Sequence, residues 1–213
     1  MQPEKDNLTH QEIEEAKNNG FIIVGKTGTG KTTLLNALFN KIVGEAKKSA
    51  KAVTKNPCVY YYRLKNGKTI ALIDTPGLGD DEKIDNENID KIHLEEITKL
   101  ISKEKIHLKG ILFLVSFQKE RFDAYEQEIL INYNKIFPLK DFWKSIVIIY
   151  THFYADPCEE EDEETLIKNK NINNGEIFSK IMDKVKNVSE AISYYDLKIK
   201  YFNSFSVAKN TMI

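Results

Sequence analysis

With 213 residues, 41% hydrophobic and 30% charged, the chain fits one globular domain and needs no disulfide or structural metal to hold a core. Its net charge of -1 gives no general attraction to nucleic acid, and only two of its basic residues are arginine, Arg63 and Arg121. Two cysteines, Cys58 and Cys158, are too few for a disulfide framework, and no apolar run reaches the ~18 residues that cross a bilayer. The chain is expected to be cytoplasmic, or peripheral at an intracellular membrane through a segment absent from this sequence.

Thr9-His10-Gln11-Glu12 is a capping box and predicts a short helix. That helix should end near Asn18-Asn19-Gly20, with glycine suited to the C-cap. Phe21–Val24 is a short apolar run bounded by glycines, as in a buried strand. Leu34, Leu35, Leu38 and Ile42 recur at helical spacing through Lys31–Val43, and the lysine-rich stretch Gly44–Pro57 has the character of a mobile loop. Cys58–Leu64 and Lys68–Asp74 flank Asn66-Gly67, a strong hairpin signal.

A polar loop then leads to a helical stripe over Ile89–Ile101. Gly110–Phe117 predicts a central strand, Arg121–Phe137 a helix, Ser145–Tyr150 a strand, Gly175–Tyr195 a helix and Leu197–Phe205 a closing strand. The acidic run Asp156–Glu164 reads as a solvated loop or helix start. Strands alternating with helices predict an α/β fold of three layers: a mostly parallel sheet with one antiparallel hairpin and helices on both faces. Residues 1–20 form a helical extension in this reading, and residues 21–213 one domain.

Gly25-Lys26-Thr27-Gly28-Thr29-Gly30-Lys31-Thr32 matches G-x-x-x-x-G-K-[ST] in full, between a predicted strand and a predicted helix. The glycines let backbone N–H groups turn toward phosphate oxygens. Lys31 is placed to reach the β- and γ-phosphates, and the Thr32 hydroxyl to ligate Mg²⁺. The helix that starts here points its positive end at the same anions. Lys26, Thr27, Gly28, Thr29, Gly30, Lys31, Thr32 and Thr33 are therefore the expected phosphate cradle of a P-loop NTPase fold.

Leu72-Ile73-Asp74-Thr75-Pro76-Gly77 ends the second strand of the hairpin. An aspartate at a strand's carboxyl end suits the magnesium, and Gly77 lets its backbone N–H approach the γ-phosphate. With these motifs, the chain resembles the GTPases of the translation-factor-related class. It is similar within that class to the AIG1 family, the GTPases of immunity-associated proteins. The subfamily likeness rests on Leu114-Val115-Ser116-Phe117 followed by Arg121-Phe122-Asp123-Ala124-Tyr125-Glu126, and it covers roughly Gly20 to Phe205.

The resemblance implies GTP or GDP with Mg²⁺ as ligands and a switch threonine in the first mobile loop, where Thr54 fits best. It implies assembly across the nucleotide face, as a nucleotide-dependent homodimer or oligomer. Lys31, Thr54 and Gly77 are then the residues closest to the chemistry, and Thr32, Thr54 and Asp74 those around the metal. Base recognition departs from the usual Asn/Thr-Lys-x-Asp: here the chain reads Thr151-His152-Phe153-Tyr154-Ala155-Asp156, with the aspartate two residues late. His152 is placed against the guanine, Asp156 on its paired N–H donors, and Asn203 of Tyr201-Phe202-Asn203-Ser204 beside it.

Many small GTPases place a water-orienting glutamine directly after this glycine; here Leu78 stands there. Hydrolysis is therefore expected to be slow or completed by a partner, with Arg63 and Arg121 the arginines this chain could supply across a dimer. The alternatives are a GTP-regulated scaffold with little turnover, and an ATP-using phosphotransferase, against which Asp74–Gly77 and Asn203 speak.

Overall fold

Six strands form one sheet: β1 Gly20–Val24, β2 Cys58–Arg63, β3 Thr69–Asp74, β4 Leu108–Ser116, β5 Ile146–Thr151 and β6 Lys198–Tyr201, in the order β2-β3-β1-β4-β5-β6. This is a computed structural model, and it describes residues 8–39, 56–77, 86–119, 122–137, 142–152, 163–184 and 198–201. Every neighbouring pair is parallel except β2 with β3. Among the described residues the helices are α1 His10–Lys17, α2 Lys31–Phe39, α3 Asn86–Glu104, α4 Ala124–Ile136 and α5 Glu163–Lys184, with a 3₁₀ turn at Trp143–Ser145.

Alternation along the strands divides the core between two faces. Ile22, Val24, Ile73, Phe113, Val115, Ile148 and Tyr150 join Ile97 of α3, Tyr133 of α4 and Phe178 of α5 in one cluster. Ile23, Leu72, Leu114 and Ile149 pack against Leu34 and Leu35 of α2 in the other. The three-layer α/β prediction matches this arrangement. The hairpin also forms where Asn66-Gly67 places it. Gly67 has φ +82°, its N–H donates to the Leu64 carbonyl at 2.9 Å, and Leu64 N–H donates to Lys68 O at 2.8 Å.

Among the boundaries that differ from the sequence reading, three have a clear physical reason. The α1 C-cap is Asn18, not Gly20, which opens β1. A side chain at Gly20 would collide with Ile106 and come within 3.0 Å of His107 O, so this glycine serves close approach. α4 begins at Ala124, because Asp123 caps it: its side chain accepts from Glu126 N–H while Glu126 accepts from Asp123 N–H. α5 starts at Glu163 instead of Gly175. Its first half hides from an apolar count because the positions facing the protein are polar, Lys170 and Asn174.

α1 is docked on the sheet. Ala16 is fully buried, the Thr69 hydroxyl donates to Glu12 O at 2.9 Å, and Ala71 N–H donates to Asn19 O at 3.1 Å.

Candidate nucleotide site

The parallel strands point one way, so Val24, Asp74, Ser116 and Thr151 end along one edge of the sheet. The strand order reverses at β1, with β3 on one side and β4 on the other. Ligand crevices of open α/β sheets lie at such a point. The loop from β1 to α2 spans it, and that loop is Gly25–Gly30.

Close packing shapes this loop. A Cβ on Gly25 would lie 2.6 Å from Leu114 O and 2.7 Å from Thr29 Oγ1. Gly28 and Gly30 hold φ of +79° and +85°, a region other residues occupy only under strain. The Thr29 hydroxyl donates to Lys26 O at 2.7 Å and closes the turn. Lys31, 7% exposed, folds back inside the loop, donating to Gly25 O at 2.8 Å and Lys26 O at 2.9 Å. α2 starts at Lys31 with no acidic residue in its first turn, so its positive end is left for an anion. Thr32 and Thr33 are half-buried at that helix start.

The second motif lies against the first. The Thr75 hydroxyl, fully buried, donates to Ile23 O at 2.7 Å and fixes the chain leaving β3. Gly77 then presses on Thr27: an added Cβ would collide with Thr27 Oγ1 and sit 2.8 Å from Thr27 Cα. Asp74 is 2% exposed at the carboxyl end of β3. On the other flank, the position a Cβ would take at Gly30 is 3.8 Å from the Thr151 side chain.

Lys26 does something the motif does not announce. Its ammonium is 3.0 Å from Asp123 Oδ2 and lies 5.4 Å from the centre of the Tyr125 ring. Its side chain is thus engaged with α4. Lys119 joins from the other side, 3.1 Å from Asp123 and 3.2 Å from the fully buried Glu126. Burial pushes the Asp123 carboxyl up, but Glu126 N–H, Lys26 and Lys119 outweigh it and hold it below the ordinary aspartate value. Burial likewise pulls the Lys119 ammonium down, and Glu126 and Asp123 more than restore it. Sequence reasoning quoted Asp123 and Glu126 but missed this cluster. The Asp-x-x-Glu spacing was a signal for the cap at its centre, though not for the lysines that join it.

α5 steadies the same end of the sheet. Asn174, fully buried, accepts from Phe122 N–H at 3.0 Å and donates to the Tyr150 hydroxyl at 2.6 Å. Lys170 donates to Phe117 O at 3.0 Å and lies over the Phe117 and Tyr150 rings. The backbone after β5 turns sharply at His152, φ +53°, whose Nδ1 is 3.4 Å from Thr151 Oγ1. Thr54, Leu78, Arg121, Asp156 and Asn203 lie outside the described residues. Arg63 stands at the end of β2 remote from the phosphate loop, paired to Thr69 in the sheet and ion-paired with Glu12. That location keeps it away from this chain's own phosphate loop.

The donor set fits magnesium. Mg²⁺ takes oxygen ligands, usually one or two from protein with phosphates and water completing an octahedron. Thr32 and Asp74 would offer it a hydroxyl and a carboxylate, and no group of three His, Cys, Asp or Glu side chains suited to another metal occurs among the described residues.

A family model described as AIG1 family matches residues 19–194. The chain belongs to the AIG1 family. It is 27% identical over 142 residues to Immune-associated nucleotide-binding protein 13 of Arabidopsis thaliana, covering 66% of this chain and 40% of that protein. Immune-associated nucleotide-binding protein 10 of the same plant is 30% identical over 150 residues, covering 68% and 29%. The chain thus spans less than half the length of these AIG1-related proteins. Among solved structures, Toc33 of Arabidopsis thaliana in complex with Mg²⁺ and GMPPNP superposes with a TM-score of 0.63 at 18% identity, over 91% of this chain and 74% of that one. A structure of chloroplast translocon components, whose dimerization is described as important for GTPase activity, gives 0.69 at 19% identity, over 91% and 73%. These likenesses establish that the AIG1 chain shares their fold.

Proposed function

We propose that this AIG1 chain is a guanine-nucleotide-binding switch that binds GTP or GDP with Mg²⁺ and hydrolyses GTP, slowly alone and faster on dimerisation or with a partner. The observation that carries this is the complete phosphate loop with Gly77 of the second motif packed directly on it. Lys31 has phosphates as its targets, Thr32 and Asp74 hold the metal, and Gly77 offers its backbone N–H to the γ-phosphate. Thr54 completes the metal and γ-phosphate contacts, while His152, Asp156 and Asn203 read guanine. Residues 21–213 make up the nucleotide-binding domain, with α1 and the residues before it as an extension.

Slow intrinsic turnover follows from Leu78, an apolar residue where a glutamine would orient water. The dependence on assembly draws on the relative whose GTPase activity involves dimerization. None of the described helices is long and apolar enough to cross a membrane. Leu78 also favours a second reading, a GTP-regulated scaffold that barely turns over.

Phosphate release with Mg²⁺, followed across a protein concentration series, separates the two. The switch reading expects a specific rate that rises with protein concentration. A rate that stays at background at every concentration leaves only the scaffold.

A further inference from the structure

Four threonine hydroxyls are buried around the phosphate loop, and three of them are committed to backbone carbonyls. Thr29 donates to Lys26 O at 2.7 Å, Thr75 to Ile23 O at 2.7 Å and Thr151 to Val115 O at 3.3 Å. The fourth, Thr27 Oγ1, is buried and has no hydrogen-bond partner among the described residues. It is also the atom that fills the space beside Gly77, where a Cβ would collide with it.

A buried hydroxyl without a partner carries a desolvation cost that an alanine or valine would avoid. Packing against Gly77 needs only the bulk of the side chain. The hydroxyl is thus unexplained by the protein alone, and it lies where the two phosphate-binding motifs meet. A phosphate oxygen there would accept a charge-assisted hydrogen bond from it. The α- and β-phosphates belong to the loop glycines and the helix start, whereas Gly77 is the residue assigned to the γ-phosphate.

We infer that Thr27 reads the terminal phosphate: its hydroxyl donates to a γ-phosphate oxygen and so sets the preference of this site for GTP over GDP. The inference rests on the nucleotide-switch reading and deepens it.

The test is equilibrium binding of GDP and of GMPPNP, with Mg²⁺, to the wild type, Thr27→Val and Thr27→Ser. Valine keeps the shape and removes the hydroxyl, while serine keeps the hydroxyl. Thr27→Val should weaken GMPPNP by roughly 10- to 100-fold and leave GDP within about twofold, and Thr27→Ser should retain the wild-type ratio. Thermal melting without nucleotide checks that each variant folds. Thr27→Ala replaces valine if Thr27→Val does not fold, with the same expectation. Equal weakening of both nucleotides, or of neither, overturns the role of Thr27. Failure of the wild type to bind either nucleotide overturns the switch reading instead.

Discussion

Lys26 Nζ lies 3.0 Å from Asp123 Oδ2, so the phosphate loop is tied to the residue that caps α4. Removing that carboxylate by Asp123→Ala should cost about 1 kcal/mol through the lost cap, with the partly exposed ion pairs adding little. The pH dependence has a definite sign. Asp123 is held below its ordinary value when folded, so its contribution is present above the unfolded pKa and fades as pH falls through the folded one. The stability gap between wild type and Asp123→Ala, measured by urea unfolding, should be full at neutral pH and shrink below about pH 4.

Asn174 satisfies two buried groups from the middle of α5. Asn174→Ala removes its bonds to Phe122 N–H and the Tyr150 hydroxyl, an expected loss of roughly 1–3 kcal/mol. Chemical denaturation measures it. A loss below about 0.5 kcal/mol would mean water replaces both bonds without cost.

Much of this architecture was legible because its signals are local. The phosphate loop needs small residues at fixed spacing, the hairpin needs Asn66-Gly67, and strands buried on both faces read as apolar runs such as Ile111–Val115. The first half of α5 was not legible, since Lys170 and Asn174 are buried for their hydrogen bonds and give no apolar period. Nor did the Lys26–Asp123 pair announce itself, because its partners are 97 residues apart and only the folded sheet brings them together. Arg63 is likewise joined to a residue distant in sequence, Glu12, by an ion pair at the far end of β2.

Gly20 offers a control remote from the ligand. Gly20→Ala drives a methyl group against Ile106 and the His107 carbonyl. The expected destabilisation is about 1–3 kcal/mol, seen as a lower Tm, with nucleotide affinity in the folded protein unchanged. A selective loss of nucleotide binding would show that the β1 entry and the phosphate loop move together.

Lys31 donates to the carbonyls of Gly25 and Lys26 from within the loop, a position from which its ammonium can turn to phosphates. Lys31→Ala should weaken GTP and GDP by roughly 100-fold or more through lost charge-assisted bonds. Nucleotide titration measures this, and melting without nucleotide keeps any folding loss separate.

The central claim, that this AIG1 chain is a guanine-nucleotide switch, is tested most directly by competition among GTP, GDP and ATP for the Mg²⁺-containing site. GTP and GDP should displace a labelled guanine nucleotide while ATP fails at roughly 100-fold higher concentration, the discrimination that paired base-edge hydrogen bonds provide. Equal displacement by ATP would contradict it.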